Sequence, residues 1–554
     1  MRHGASHDTS FDEFVVGGGG PGDQAIGDDE KERLYRLAEH IHAIRATRDV
    51  PVSHDNPSIP AGYTYFGQLV AHDLTFHDIR PSAFADTTPS EEFPRAATLD
   101  LDCIYGGGPE VSPWLYEPEP DANAPRFRLG LGQSRFKDDC ERRTGRLDDV
   151  PRIRCPMHDS SAHDGSHGRR ARHDPLVADP RNDQHLLISQ LVVLFCKFHN
   201  IVAERVRAHH RGAGPTAGRW SDTMVFPRAR ALVTSVYGRI VAGDFLKRLL
   251  CPDVYRRYAD IYHNARYDRF RLISLSPENP RFAVPPEFWL AAFRAGHGMV
   301  QNRYNVSSAH NLDRDNAREL GIANLLKLAG PASFETPVTA EWVVEWDRFF
   351  FEPGEIEGNR RRDNGRLVNF SHRIEPTAAA GLGVATGRFK TEDGKRTLLY
   401  RDFARGLQNR LPSAQDYIRA HVGLLEAGDG PVAGPAMLRP DQLRPWLAPE
   451  MTVLSELTGG DIDAIVAETP LLFYLLCESA APPRDGRCLG PLGSTIVAEV
   501  IFGALLASRG QASPEQWQSL FRDDAPATMN QLVRFVERHW TARRRPGVCE
   551  CAAD

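Results

Sequence analysis

The sequence has a small net charge, few cysteines and no long apolar run. The formal net charge is −6 over 554 residues, which gives no strong basic field, so no nucleic-acid partner is expected. The main apolar runs, 191–195 and 495–507, fall short of the roughly 20 residues that cross a bilayer, so no transmembrane segment is expected. The nine cysteines are irregularly spaced, which argues against a disulfide framework and favours a reducing compartment.

The N-terminal residues also lack the pattern of a secretory signal. Residues 1–24 are polar and glycine-rich, whereas a signal peptide has an apolar core. We therefore expect a cytoplasmic location by default, with export by a non-classical route left open. No pattern in the sequence indicates the oligomeric state.

What is present is an ordinary globular composition with helical periodicity. Hydrophobic residues make up 41% and charged residues 25%, which excludes a disordered or collagenous chain. We expect a mainly α protein, a single large helical domain with long loops and few short strands. The expected divisions are a flexible tail at 1–30, the large domain at 31–525, and a C-terminal helix and tail at 526–554. The predicted helices are 31–48, 63–77, 185–210, 228–245, 286–299, 320–328, 340–351, 414–425 and 494–507.

A histidine and an amide lie on one face of the second predicted helix. In FGQLVAHD (66–73), Gln68 and His72 are four residues apart and therefore point the same way. Burying such groups without partners is costly. Taken alone, the pattern is most typical of a core histidine whose hydrogen bonds are satisfied.

A loop rich in carboxylates follows. In ATLDLDCIYG (97–106), Asp100 and Asp102 are two apart and face the same way if the loop is extended. Together with Asp73 and oxygens of Thr98, they form the donor set that a hard cation such as Ca²⁺ prefers. On its own, such a loop is more often an ordinary acidic turn.

Three further segments place basic side chains beside apolar helices. In ADPRNDQH (178–185), Arg181 could stabilise developing negative charge or belong to a capping and salt-bridge cluster. In AFRAGHG (292–298), Arg294 and His297 share a slim face, and His297 could bind haem iron or be a structural histidine. The segment LLYRDFARGLQNRLPS (398–413) supplies Asp402 and Arg405, and alone it is typical of a surface helix with an ion pair.

In combination and in this order, the segments resemble the animal haem peroxidase family, which includes myeloperoxidase, lactoperoxidase and the cyclooxygenases. The resemblance is greatest to bacterial members and covers about residues 60–510. It is carried by the GQ…HD helix, the LDLD…YG loop, the DPRND block with FHN at 198–200, the FRAGH segment and the RG…LPS segment. It implies a haem peroxidase catalytic domain within 31–525, with haem b and Ca²⁺ as cofactors.

The resemblance implies roles for the residues around the haem. His72 would be the distal histidine, with Gln68 beside it and Arg181 as the distal arginine. His297 would be the proximal iron ligand, and Asp402 falls where the family usually has an asparagine that hydrogen-bonds this ligand. Arg294 and Arg405 would contact the haem propionates. The implied calcium ligands are Asp73, Thr98, Asp100 and Asp102, although Ala96 replaces a hydroxyl ligand of some members.

Two departures from the family pattern bear on activity. Ala71 and Gln184 fall where mammalian members form ester links to the haem, and His185 replaces a methionine that forms a further link. None of the three can form these bonds, so the haem should be held without covalent attachment. Phe350 falls where the lipid-oxidising members carry a radical-forming tyrosine, which weakens an oxygenase interpretation.

The resemblance therefore implies a haem-dependent peroxidase that reduces H₂O₂ and oxidises a small organic or halide donor, with a role in the response to oxidative stress. A fatty-acid dioxygenase of the same superfamily is one alternative. A non-enzymatic haem- and calcium-binding adhesive protein is another, although mere binding would need neither His72 nor Arg181. The histidine-rich stretch 157–174 and the pair Cys549 and Cys551 are interpreted as a surface insert and a terminal tail.

Overall fold

The computed structural model describes most of the chain. The described residues are 27–48, 54–75, 97–117, 125–133, 143–154, 173–212, 224–277, 282–308, 320–325, 338, 342–356, 367–383, 397–426, 437–448, 456–508, 520–521 and 524–540. Residues 1–26 of the predicted tail, most of the histidine-rich stretch, and the two C-terminal cysteines lie outside this set.

Helices dominate the described residues, which confirms the predicted mainly α class. Short helices of four residues occur at Asp102–Tyr105, Leu246–Leu249, Ile322–Leu325 and Pro440–Leu443. The longer helices are α1 (Asp28–Arg48), α2 (Gly62–Leu74), α3 (Leu186–Gly212), α4 (Val225–Ile240), α5 (Pro252–His263), α6 (Leu398–Gln408), α7 (Ala414–Glu426), α8 (Gly459–Ala467), α9 (Leu471–Ala480), α10 (Pro491–Ala507) and α11 (Met529–His539).

The strands are short and form two-stranded antiparallel pairs: β1 with β8, β2 with β3, β4 with β5, and β6 with β7. In the β1–β8 pair, Asp55 lies opposite His372, so two distant parts of the chain meet just before α2 begins. The strands are Asp55–Pro60 (β1), Gly130–Gln133 (β2), Arg143–Asp149 (β3), Arg152–Arg154 (β4), His173–Pro175 (β5), Arg303–Tyr304 (β6), Leu320–Gly321 (β7) and Phe370–His372 (β8).

The core lies around α3 and α10, whose apolar residues point in all directions. Such helices must be buried on every side. Accordingly, α3 packs against α2, α4 and α11, and α10 packs against α5 and α9. One helical window within Leu186–His209 is long and apolar enough to cross a membrane by length and composition. Because 94% of that window is buried inside the protein, we interpret it as a core helix. From the sequence alone, only the shorter apolar run 191–195 within it was considered.

Asp244 connects the distal helix α2 to the C-terminal helix α11. It lies in a π-helical segment, Val241–Phe245, that continues α4. Its Oδ2 accepts hydrogen bonds from the Tyr63 hydroxyl at 2.5 Å and from the Met529 backbone N–H at 2.9 Å. Its Oδ1 accepts one from Arg248 Nε at 2.9 Å. A single buried carboxylate therefore holds three separate parts of the chain together.

Three predicted helices differ from those observed. The helix expected at 340–351 is wrong: residues 342–351 contain only one 3₁₀ turn, Trp346–Arg348, because the successive rings of Phe349, Phe350 and Phe351 are all fully buried and cannot share one helix face. The segment 286–299 is helical but not α: it winds as a π-helix, Phe288–Ala292, and then as a 3₁₀-helix, Phe293–Met299. Within 320–328, the described residues form β7 and a four-residue helix.

Candidate active site

Helix α2 carries the predicted distal histidine into the interior. Its first N–H groups are satisfied by chain neighbours rather than by a side-chain cap, since Ala61 N donates to Asn369 O and Gly62 N donates to Phe349 O. Near its other end, His72 is fully buried. Burial, together with the charge of Arg181, lowers the pKa of His72 to about 4, so the imidazole is neutral at neutral pH.

Asn182 fixes the tautomer of His72. The Asn182 Nδ2 group donates to the carbonyl of Cys103 at 2.8 Å, which turns its Oδ1 toward His72. This oxygen lies 2.9 Å from His72 Nδ1. Because Oδ1 can only accept, Nδ1 carries the proton, and Nε2 carries the lone pair. Nε2 is buried and has no hydrogen-bond partner among the described residues, so it is a base with a free acceptor position.

Arg181 is bound to an aspartate that is not among the residues predicted from the sequence. It lies in a 3₁₀ turn, Pro180–Asp183, that Asp179 caps by accepting the Arg181 backbone N–H. The guanidinium contacts the Asp179 carboxylate at 2.6 Å and donates to the His72 carbonyl at 2.9 Å. Burial acts to raise the pKa of Asp179, but Arg181 outweighs this and lowers it, so the pair is ionised. The structure thus brings Arg181 to the end of α2 beside His72, with its charge largely balanced.

Gln68 takes part in a directed chain of hydrogen bonds. His185 Nδ1 accepts from the Ile188 backbone N–H at 3.3 Å, so its Nε2 donates to Gln68 Oε1 at 2.9 Å. Gln68 Nε2 then donates to Gln184 Oε1 at 3.4 Å. Gln184 and His185 are two of the three positions that the sequence analysis considered for covalent links to haem, and both are hydrogen-bonded to Gln68.

The second histidine, His297, lies in the 3₁₀-helix Phe293–Met299, which packs against α2. Its Nδ1 is 2.6 Å from Asp402 Oδ2. Since a carboxylate only accepts, Nδ1 carries the proton and Nε2 the lone pair. Nε2 has no hydrogen-bond partner among the described residues, and the side chain is 32% exposed. This is the arrangement found for histidines that bind metal, in which a carboxylate orients the ring and makes it a better donor.

Asp402 also binds Arg294, and the three residues form a buried cluster. Arg294 donates to Asp402 Oδ1 and to the carbonyl of Trp289, the latter at 2.8 Å. Burial alone would raise the pKa of Asp402, but Arg294 and His297 together hold it well below its usual range. Asp402 lies on α6, which Thr397 caps by accepting the Tyr400 N–H. The surface helix considered from the sequence is wrong, because most of α6, including Arg405, is buried.

The three predicted calcium aspartates lie near one another at the end of α2, but their ligand atoms do not have the 4.8 Å spacing of a metal-binding group. Asp73 Oδ2 accepts the Leu101 backbone N–H at 2.9 Å, and the Tyr237 hydroxyl and the Cys103 N–H also interact with this carboxylate. Burial, and then the nearby charges of Asp102 and Asp100, raise the pKa of Asp73 well above its usual range. Asp102, however, contacts Arg230 at 2.5 Å, and Thr98 is half-buried. The carboxylates are close enough to repel one another, which a cation would relieve.

Phe350, at the position considered for a tyrosine, packs edge-on against Tyr63 with ring centres 5.2 Å apart and is fully buried.

Two residues that shape the site, Asp179 and Asn182, are absent from the predicted set. Both are in the DPRND motif, and a signal was present for Asp179, since an aspartate before proline is a typical N-cap.

Comparisons with known proteins show which family part of the chain resembles. Residues 140–327 match the family model for animal haem peroxidases, a range that contains Arg181, Arg294 and His297. Two Drosophila melanogaster proteins are 26% identical to parts of this chain. Dual oxidase matches over 127 residues, 23% of the chain, and chorion peroxidase over 132 residues, 24% of the chain. The matches span only 7% and 15% of those two proteins.

Among solved structures, peroxidase A from Dictyostelium discoideum superposes with a TM-score of 0.53 at 13% identity, covering 93% of this chain and 90% of that one. The fold is therefore shared along nearly the whole chain. A fatty acid alpha-dioxygenase from Oryza sativa gives a TM-score of 0.49 at 13% identity, with 93% and 80% of the two chains covered.

Proposed function

We propose that this chain is a haem protein of the peroxidase–cyclooxygenase superfamily, and that it is a haem-dependent peroxidase that reduces H₂O₂ and oxidises a small phenol, aromatic amine or halide. One observation supports this most directly. His72 and His297 lie on neighbouring elements, and each has its Nδ1 fixed by an acceptor and its lone pair on Nε2. His72 is buried and neutral, whereas His297 is bound to a carboxylate.

The residues fit a haem group. His297 Nε2 would bind the iron, with Asp402 strengthening it as a donor. Arg405 would face a propionate, whereas Arg294 is already held by Asp402 and would contribute less than the sequence resemblance implied. Ala71 has no side-chain oxygen, and Gln184 and His185 are held by Gln68, so we propose that no covalent bond attaches the haem. When bound, the haem supplies the redox-active iron at which peroxide is cleaved.

The chain's own contribution is to move a proton. His72 Nε2 can accept the proton of the inner peroxide oxygen and return it to the outer oxygen, since the neutral imidazole has its lone pair free and Asn182 prevents the tautomer from switching. Arg181 anchors the His72 carbonyl and so fixes the ring's position. Its pairing with Asp179 leaves it less charge with which to stabilise the departing oxygen.

We also propose that Asp73, Thr98, Asp100 and Asp102 bind a structural Ca²⁺. The buried Asp73 carboxylate, with the charges of Asp102 and Asp100 beside it, fits a hard cation. Asp102 would exchange its contact with Arg230 for the ion. The test is to analyse the purified protein for calcium and to measure its melting temperature with and without EGTA. Absence of calcium, together with a melting temperature that EGTA does not change, would contradict the proposal.

The experiment for the main proposal is an absorption spectrum of the haem-loaded protein before and after H₂O₂, followed by guaiacol oxidation. We expect His297→Ala to lose haem. We expect His72→Ala to keep haem but to react with H₂O₂ about 10²–10⁴-fold more slowly, as for the loss of a positioned acid–base group. His263→Ala, at an exposed histidine, is the matched control and should behave as wild type.

Two results would contradict the proposal. Full haem occupancy with an unchanged spectrum in His297→Ala would place the iron ligand elsewhere, and a wild-type rate in His72→Ala would remove its role as the base. Oxygen uptake with linoleate, without guaiacol oxidation, would instead support the dioxygenase alternative.

A further inference from the structure

A second group of potential metal ligands lies at the β1–β8 pair. His54 immediately precedes β1, His372 ends β8, and Glu375 follows three residues later. The backbone holds this corner firmly, because Asp55 pairs with His372 and Arg373 N donates to the His54 carbonyl at 3.0 Å. The three side chains therefore come from two distant parts of the chain, and the pairing of β1 with β8 holds these two parts together.

Their ligand atoms have the spacing of a metal site. His54 Nδ1 lies 3.4 Å from Glu375 Oε1, His372 Nε2 lies 3.8 Å from the same oxygen, and all three ligand atoms are within 4.8 Å of one another. Ligands about 2.0–2.1 Å from a tetrahedral zinc ion are roughly 3.3 Å apart, so a small inward movement would suffice. The two imidazole rings are stacked, with centres 5.7 Å apart and an interplanar angle of 12°, so one ring must turn before both lone pairs can meet one ion.

The protonation of His372 favours a ligand role. Its Nδ1 donates to the Arg373 carbonyl at 2.8 Å, which leaves the lone pair on Nε2, directed at the Glu375 carboxylate. A lone pair and a carboxylate oxygen then face each other with no proton between them, and a cation would satisfy both.

The surrounding charges are consistent with one metal ion. The guanidinium groups nearby are held by carbonyl or amide oxygens: Arg45 by the Val300 carbonyl and Gln301 Oε1, and Arg373 by the carbonyls of Asp55 and Asp485. Glu375 supplies the negative charge that a cation requires. Thr377 Oγ1 donates to Glu375 Oε1 at 3.4 Å and orients it.

We propose that His54, His372 and Glu375 bind one zinc ion. Two imidazoles and one carboxylate are typical zinc ligands, and a site with three protein ligands keeps a fourth position for water. His54, with its side chain 30% exposed, provides the access from solvent. The ion fastens β1, which leads directly into α2, to the segment around Glu375. Because the Glu375 carbonyl lies 3.4 Å from where a Cβ on Gly298 would be, the site also lies close to the segment that carries His297.

The test is zinc titration of the metal-depleted full chain, without a purification tag, using competition with a chromophoric chelator. Variants His54→Ala and Glu375→Gln are compared with wild type and with His263→Ala as the matched control. We expect wild type and control to hold one zinc equivalent that both site variants bind at least about tenfold more weakly. The melting temperature should rise with zinc in wild type and much less in the variants.

Equal zinc stoichiometry and affinity in wild type, His54→Ala and Glu375→Gln would overturn the proposal. If Glu375→Gln does not fold, as judged by circular dichroism, the partly exposed His54→Ala decides alone. Since zinc uptake is measured without haem or peroxide, its outcome is separate from that of the proposed peroxidase function. Zinc bound elsewhere, such as by the histidine-rich stretch, would remain in the variants and is removed by the comparison.

Discussion

Asp402 gives the sharpest test of how the candidate site is held together. Its side chain is fully buried and binds both Arg294, which is 9% exposed, and His297. Replacing it with alanine leaves a buried guanidinium opposite a methyl group and removes the acceptor of His297 Nδ1. Breaking a buried ion pair by removing one partner costs about 3–5 kcal/mol, and we expect Asp402→Ala to lower the free energy of unfolding by this amount.

Asp402→Asn separates charge from shape. Asparagine keeps the volume and one acceptor, but its amide oxygen can serve Arg294 or His297 and not both. We expect a smaller loss, about 1–3 kcal/mol, the cost of one unsatisfied buried group. The measurement is urea unfolding followed by circular dichroism. Asp441→Asn is the matched control, since Asp441 pairs with Arg439 at the surface, and it should unfold as wild type does. A loss below about 1 kcal/mol in Asp402→Ala would refute the reasoning, because the cluster would then not be buried and charged as described.

Three further changes test other parts of the structure. Gly62→Ala places a Cβ 2.5 Å from an aromatic carbon and 2.6 Å from a backbone oxygen, so urea unfolding should show a loss of about 1–3 kcal/mol. Gly243→Ala, which meets nothing within 4 Å, should cost less. Burial opposes ionisation of Asp461, but Arg36 lowers its pKa to about 2, so its stabilisation is present above about pH 4 and lost toward pH 2, and Asp461→Asn should remove this dependence of the melting temperature. Burial raises the pKa of Glu478 from 4.5 to about 7, so stability should fall as pH rises through that window, and Glu478→Gln should flatten the profile; an identical slope in the variant would contradict it.

Local patterns predicted much of the site because they depend on short distances along the chain. Gln68 and His72 do share a buried helix, and the DPRND motif does turn into a long apolar helix. The partners could not be predicted in the same way. Asp402 lies 108 residues from Arg294, and only the packing of α6 against Phe288–Ala292 brings them together.

The same limit explains the errors. The segment 340–351 satisfies helical periodicity, but its last three rings, Phe349, Phe350 and Phe351, are all fully buried, and such burial is a tertiary property. The role of Arg181 as a charge stabiliser stays a prediction, made from its motif before a core helix and from the family resemblance. Its neighbour two residues earlier, Asp179, takes up most of that charge, and only the turn geometry makes this visible.

The contacts of Asp244 bear on the order in which the molecule is built. A chain leaves the ribosome from its N-terminus, and domains generally fold as units. Tyr63 and Asp244 can meet early in translation, but the Met529 N–H that completes the same carboxylate emerges nearly three hundred residues later. The Asp244 carboxylate therefore gains its last partner late in synthesis, after the elements that carry His72 and His297 have been made.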